Sequence, residues 1–95
     1  MKRIGAVLER IEARDRNLAD QLKRAAVSVV LNLEEGSGTR GGHRRQRYLS
    51  AAGSAREANA ALRIAAGLGY VGKADLARAF GELDEVAAVL HGLTR

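Results

Sequence analysis

Residues 17–38 have the sequence NLADQLKRAAVSVVLNLEEGSG, and this stretch decides the fold. Its apolar positions recur at intervals of three and four residues, which is the spacing of one face of an α-helix. The members of that face are Leu18, Leu22, Ala26, Val29 and Leu33. Val27 and Leu31 are apolar on another flank, and a helix that is apolar on two sides is buried on two sides. The sequence therefore predicts a helix over 17–35 that packs within its own subunit and against a second one.

The sequence on the N-terminal side predicts a helical hairpin. Apolar residues at helical spacing indicate a first helix over 2–14, and Asp15 and Asn17 are residue types that cap the start of the next helix. One alternative stays open, because no glycine or proline interrupts the region between the two apolar segments. A single continuous helix over 1–35 fits the same spacing.

The sequence on the C-terminal side predicts two more helices. Residues 36–42 contain four glycines and predict a helix stop followed by a flexible loop. A third helix follows over 43–66, three glycines in 67–72 end it, and a fourth helix covers 73–92. Four amphipathic helices with short connections predict a single domain of the all-α class, an up-down-up-down four-helix bundle spanning the 95 residues.

Composition limits the chemistry and the cellular setting. The chain has no cysteine, so disulfides and thiolate metal sites are excluded. No apolar run approaches the ~20 residues that cross a bilayer, and the first residues lack the apolar core of a signal peptide. We therefore expect a cytoplasmic protein with no membrane partner.

The positive charge is concentrated in the middle of the sequence. The 16 lysines and arginines exceed the 11 aspartates and glutamates by five. Residues 36–74 contain seven basic residues and a single acid, Glu57, for a net charge of +6, and the rest of the chain has a net charge of −1. This asymmetry indicates an anionic polymer as the partner.

Motifs that resemble catalytic or cofactor sites lack the necessary context. Residues 36–41 match G-x-G-x-x-G, but a helix precedes them and no strand is predicted, so dinucleotide binding is not expected. His43 and His91 are 48 positions apart, and neither has a carboxylate or a histidine one helical turn away. We predict that the protein is not an enzyme and has no cofactor and no metal site.

Polar residues follow one edge of the helix over 17–35. At about 100° per residue, the side chains of this polar ridge fall within about 60° of one another. They are Gln21, Ser28, Asn32 and Glu35. We predict that the ridge forms a hydrogen-bonded network at a subunit interface and fixes the register between the subunits. The alternative is that these residues are only tolerated at the boundary of the core. Glu35 needs a cationic partner near the helix C-terminus. The candidates are Arg24, Arg44 and Arg47.

Arginines form a stripe on the third predicted helix. Arg45, Arg56 and Arg63 lie within about 20° of one another over about 27 Å of helix axis, and neither of the last two has an acid three or four positions away. The adjoining loop and first turns add Arg40, Arg44 and Arg47. Arginine binds phosphate oxygens through paired N–H donors. We predict that these six residues bind nucleic-acid phosphates with little sequence specificity, the alternative being a solvated charged surface.

Several short motifs resemble those of one known family. They lie at 21–29, 32–38, 48–49, 53–54 with Glu57, 68–70 and 90–93. In this order they resemble the bacterial four helix bundle protein family. That family includes the proteins encoded in 23S rRNA intervening sequences and the accessory variability determinants of diversity-generating retroelements. The resemblance extends over about 17–93.

This resemblance implies a bundle that assembles into a barrel-like homo-oligomer, a pentamer. For the retroelement members it implies binding of nucleic acid and of a reverse transcriptase, without catalysis of their own. The positions that match the family motif are Gln21, Arg24, Ser28, Asn32, Glu35 and Gly36. Arg24 thereby joins the polar ridge as a candidate interface residue.

Two functional hypotheses follow. The first is a non-enzymatic, basic, oligomeric nucleic-acid-binding accessory protein that assists a reverse transcriptase or another RNA- or DNA-processing enzyme. The second is a protein–protein adaptor or structural oligomeric module that does not bind nucleic acid.

Overall fold

A computed structural model describes residues 2–38 and 41–81, and all the regular structure in these ranges is helical. The helices are α1 (Lys2–Arg14), α2 (Arg16–Ser37), α3 (Gly42–Gly67) and α4, which begins at residue 73 and is described to residue 81. The predicted all-α class is confirmed, and the arrangement is consistent with a four-helix bundle. Residues 82–92 of the fourth predicted helix lie outside the described part. Within residues 2–38 and 41–81, no helix is long and apolar enough to cross a membrane.

A single residue, Asp15, separates α1 from α2 and makes them a hairpin. Its backbone is extended (φ −154°, ψ 95°), and its carboxylate accepts a hydrogen bond from the backbone N–H of Leu18 at 3.0 Å. This cap satisfies one of the unpaired N–H groups in the first turn of α2. The break excludes a continuous helix over 1–35, and Asp15 rather than Asn17 provides the cap.

The antiparallel pair α2 and α3 forms the body of the molecule. Ser28 of α2 meets Ser54 near the middle of α3, and Gly36 meets Tyr48 at one end of the pair. α3 turns mostly alanines toward α2, and such small side chains allow two helix axes to approach closely. The buried residues of α3 are Tyr48, Ala51, Ala55, Ala58, Ala61, Leu62 and Ala65. The predicted apolar face of α2 fills the other side of this contact, and its Leu22 and Val29 are fully buried.

The remaining core is closed by α1 and by the start of α4. The buried residues of α1 are Ile4, Val7 and Ile11. They belong to the same apolar cluster as Ala79 of α4 and as Leu22 and Leu62 of the central pair. An ion pair between Arg10 and Asp75 joins the two outer helices at the surface.

The end of α2 differs from the prediction, because the helix continues two residues farther and includes Gly36. This glycine is buried under the Tyr48 ring, and a Cβ built on it would lie 2.5 Å from Tyr48 Cε1. The helix then ends where the backbone N–H of Gly38 donates to the Glu35 carbonyl at 3.2 Å. Glycine at position 36 is therefore a packing requirement, whereas Gly41, just before α3, has a positive φ of 67° that side chains disfavour.

Replacing Gly36 by alanine tests this contact. Alanine gains ~1 kcal/mol of helix propensity over glycine, but an overpacked methyl group costs about 1–3 kcal/mol where the buried Tyr48 ring must move. We expect Gly36→Ala to lower the free energy of unfolding, measured by urea denaturation with circular dichroism. Gly53→Ala is the matched control inside α3, since the nearest atom to its added Cβ is 3.9 Å away, and it should raise that energy by ~1 kcal/mol. Equal gains in both variants would contradict the packing role.

Candidate nucleic-acid and subunit interfaces

The middle of the polar ridge is hydrogen-bonded to α3. The hydroxyl oxygens of Ser28 and Ser54 are 2.7 Å apart across the helix pair. The Asn32 side-chain NH2 donates to the Ser28 carbonyl at 2.9 Å and to the Ser28 hydroxyl at 3.1 Å, because Asn32 lies one turn farther along α2. All three residues are half-buried, so within one chain this network lies at the boundary between core and surface.

Glu35, at the end of the ridge, pairs with one of the three predicted arginines. Arg47 Nη1 lies 3.0 Å from Glu35 Oε2, and about half of each side chain is exposed. Exposed ion pairs contribute roughly 0–1 kcal/mol, so this pair orients two side chains more than it stabilises the fold. Arg44 instead donates from Nε to the Tyr48 hydroxyl at 3.3 Å, with its guanidinium 5.7 Å from the centre of that ring. Arg24 is exposed on α2.

The ridge borders two open grooves, which we call the ridge groove and the interhelix groove. The ridge groove runs along α2 from Asp20 to Glu35, and Arg47 forms part of its wall. The interhelix groove lies between α2 and α3 and contains Gln21. Arg24 and Ser28 line both grooves. Within the described residues no polar or charged side chain is fully buried, so the five predicted interface residues all remain accessible in a single chain.

An apolar groove between α1 and α2 continues the ridge groove. It has a volume of about 310 Å³ and is lined by Ile4, Gly5, Leu8, Lys23, Ala26, Val27, Val30 and Leu31. Val27 is 48% exposed, Val30 42% and Leu31 55%. Lys23, Val27 and Leu31 line both this apolar groove and the ridge groove, so the two grooves are continuous. The second apolar side predicted for α2 is therefore uncovered in one chain and lies directly beside the polar ridge.

Three arginines form an exposed row on α3. Arg45, Arg56 and Arg63 lie on the helix face that points away from the alanine contact with α2. None of the three has an acid three or four positions away, and none takes part in an ion pair within residues 2–38 and 41–81. The guanidinium of Arg63 lies 5.7 Å from the centre of the Phe80 ring on α4, a cation–π distance that holds this side chain in place.

The other three predicted phosphate-binding arginines are in different situations. Arg40 lies outside the described residues. Arg44 and Arg47 are exposed, but their guanidinium groups already contact Tyr48 and Glu35. The structure thus brings together Arg45, Arg56 and Arg63 as one row. Of the two other described arginines, Arg47 contacts the ridge residue Glu35 and Arg44 contacts Tyr48.

Sequence reasoning missed several residues of these surfaces. Ser54 completes the hydroxyl pair, Tyr48 anchors Arg44, and Phe80 anchors Arg63. Only a weak sequence signal indicated Ser54, because it is a lone hydroxyl residue on the alanine face of α3. Nothing in the local sequence connects Phe80 with Arg63, because 17 positions separate them and the contact depends on how α4 packs.

The histidines do not form a metal site in the part of the chain that the structure describes. His43 is exposed in the first turn of α3, and His91 lies outside the described residues. No group of three or more His, Cys, Asp or Glu side chains gathers within residues 2–38 and 41–81. The absence of catalysis and of a cofactor stays a prediction.

The described residues form a small helical protein with an exposed row of arginines on α3 and an exposed apolar groove between α1 and α2. The model of one family, described as 23S rRNA-intervening sequence protein, matches residues 2–92, and the chain belongs to that family. The resemblance seen in the short motifs is thereby confirmed for the intervening-sequence proteins, and the relation to retroelement accessory proteins stays a prediction. No curated protein and no solved structure matches the chain.

A double-mutant cycle tests whether the serine pair links α2 and α3. Removing one hydroxyl costs about 0.5–1.5 kcal/mol when its hydrogen-bond partner is left unpaired, whereas removing both is close to neutral. We expect Ser28→Ala and Ser54→Ala each to lower the free energy of unfolding, and the double variant to lose less than their sum. Ser50→Ala, at an exposed position on α3, should instead gain a few tenths of a kcal/mol from helix propensity. Additive losses would show that the two hydroxyls do not interact.

Proposed function

We propose that this chain is a non-enzymatic nucleic-acid-binding protein that acts as a homo-oligomer and assists an RNA- or DNA-processing enzyme, such as a reverse transcriptase. The row formed by Arg45, Arg56 and Arg63 is the observation that supports binding most directly. Its guanidinium groups are exposed on one helix face and have no acidic neighbours in helical register. Arginine contacts phosphate through paired donors, and this contact needs no particular base.

The aromatic residues support binding with little sequence specificity. Tyr48 is only 4% exposed, and Tyr70 and Phe80 are half-buried. Proteins that bind single strands through their bases use exposed aromatic rings as stacking platforms. With its three aromatic rings turned toward the core or its edge, this chain relies on phosphate contacts. The family is named for intervening sequences of 23S rRNA, so RNA is the first ligand to test.

Self-association is the second part of the proposal. The apolar groove leaves three aliphatic side chains of α2 about half exposed, and burying them gains roughly 25 cal/mol for each Å² removed from water. The adjacent polar ridge supplies hydrogen-bonding groups that favour one register of subunits over others. A barrel-like ring, a pentamer by the family resemblance, would repeat the arginine row in each subunit and raise the avidity for a long nucleic acid.

Charge reversal in the arginine row tests nucleic-acid binding. We expect Arg45→Glu/Arg56→Glu to weaken binding of a single-stranded RNA on the order of tenfold or more. The salt slope of the affinity should fall by about 1.4, since two phosphate contacts are lost. Arg63 is left in place because it packs against Phe80. Fluorescence anisotropy across a salt series measures both quantities.

The matched control for that experiment is Arg16→Glu/Lys73→Glu. Both residues are exposed and lie toward the opposite end of the α2–α3 pair from Arg45, and the change in net charge is the same. Similar losses of affinity in the two double variants would show that only overall charge matters, and the arginine row would lose its role. Circular dichroism should show unchanged helicity in both.

A charge placed in the apolar groove tests self-association. Leu31 is 55% exposed in one chain, so Leu31→Glu should leave the subunit folded but shift the particle mass to that of a monomer in light scattering. A carboxylate in a desolvated interface costs several kcal/mol, which is enough to dissociate subunits of ordinary affinity. Leu68→Glu is the matched control, because Leu68 is equally exposed at the end of α3 and lies outside the groove. A wild-type protein that is monomeric at micromolar concentration would disprove this part of the proposal.

A protein–protein adaptor is the second candidate function, and the exposed apolar groove favours it. In that case the arginine row is a solvated surface. The two functions differ in one measurement: an adaptor forms its oligomer or complex normally but shows no RNA binding even at low salt, where phosphate contacts are strongest.

A further inference from the structure

An open cup lies within the arginine row of α3. Its volume is about 250 Å³, and the described residues that line it are Arg56, Asn59, Ala60 and Arg63. Positions three, four and seven residues apart share one face of a helix, so Asn59 and Ala60 form the floor between the two arginines. The arginine Cα atoms are about 10.5 Å apart along the axis, which lets both long side chains reach one ligand between them.

Three of the four side chains that line the cup can donate hydrogen bonds. The two guanidinium groups have only N–H donors, and Ala60 contributes a methyl group. The Asn59 side-chain oxygen is buried and has no hydrogen-bond partner within the described part of the chain. Asn59 as a whole is half-buried and lines the cup, and the NH2 group of its amide is the donor that it offers to a ligand there. Glu57, the acid on this helix, lines the interhelix groove instead.

One arginine of the cup is already positioned. The Phe80 ring beside the Arg63 guanidinium restricts that side chain before any ligand arrives. A side chain that is ordered in advance loses less conformational entropy on binding, which favours affinity. The methyl group of Ala60 leaves room for a ligand to approach the helix closely.

We propose that this cup holds one phosphodiester group of an RNA backbone, with Arg56 and Arg63 as charged donors and Asn59 as the neutral donor between them. This proposal rests on the nucleic-acid function proposed above, and it identifies the site where the RNA backbone binds. Asn59 is the residue that this proposal adds to the arginine row. Because it is uncharged, an analysis of the charge distribution along the sequence does not identify it.

Two substitutions of Asn59 test this site, with a fluorescently labelled oligouridylate as the probe. Asn59→Ala removes the neutral donor and should weaken binding about tenfold, the effect of losing one hydrogen bond to a charged group. Its melting temperature should not fall, because alanine favours the helix and the unpaired buried oxygen disappears. Asn59→Asp keeps the shape but places a carboxylate between the two arginines, and it should weaken binding more than the alanine variant.

Asn17→Asp is the matched control, since it makes the same change of shape and charge at an exposed position in the first turn of α2. It should change the affinity less than twofold. An equal loss in this control, or a fall of melting temperature together with affinity in Asn59→Ala, would overturn the site. If both Asn59 variants bind like the wild type while Arg45→Glu/Arg56→Glu does not bind, the cup is wrong and the proposed function stands. If the wild type does not bind the probe, both fail.

Discussion

The close antiparallel contact between α2 and α3 is the constraint on which the other features depend. It brings the alanine row of α3 against the apolar face of α2, and it places the Tyr48 ring on Gly36. Small side chains on one helix permit large ones on the other, so a core forms in a chain with few aromatic residues. Because the alanines occupy the inner face of α3, the arginines at seven- and eleven-residue spacing necessarily point outward.

The same contact uses only one side of α2. The opposite side retains an exposed apolar groove shared with α1, and the polar ridge runs between the groove and α3. A contiguous apolar patch on a small protein is typical of a surface that a partner covers. The ridge is only partly satisfied within one chain, where Ser28 and Asn32 are bonded and Gln21 and Arg24 stay accessible. This combination is the physical basis for proposing a homo-oligomer.

Arginine has several roles in this molecule, and the fold assigns them. Arg47 orients Glu35, Arg44 lies against Tyr48, and Arg63 lies against Phe80. Arg45 and Arg56 remain on the open face of α3. The positive charge in the middle of the sequence is therefore divided. Arg44 and Arg47 are held by contacts with Tyr48 and Glu35, whereas Arg45, Arg56 and Arg63 are exposed on α3 and are available to an anionic polymer.

The sequence by itself determined the helices, the apolar face of α2, the uncovered flank of Val27 and Leu31, and the outward row of arginines. These features follow from residue types and from spacing along one helix, which involve neighbours three to eleven positions apart. The tertiary structure decided that Asp15 is the cap, that Gly36 lies inside the helix under Tyr48, and that Ser54 completes the serine pair. It also decided which arginine pairs with Glu35. Each of these outcomes depends on the register and distance between helices, and these are set by the packing of side chains far apart in the chain, which no local pattern records.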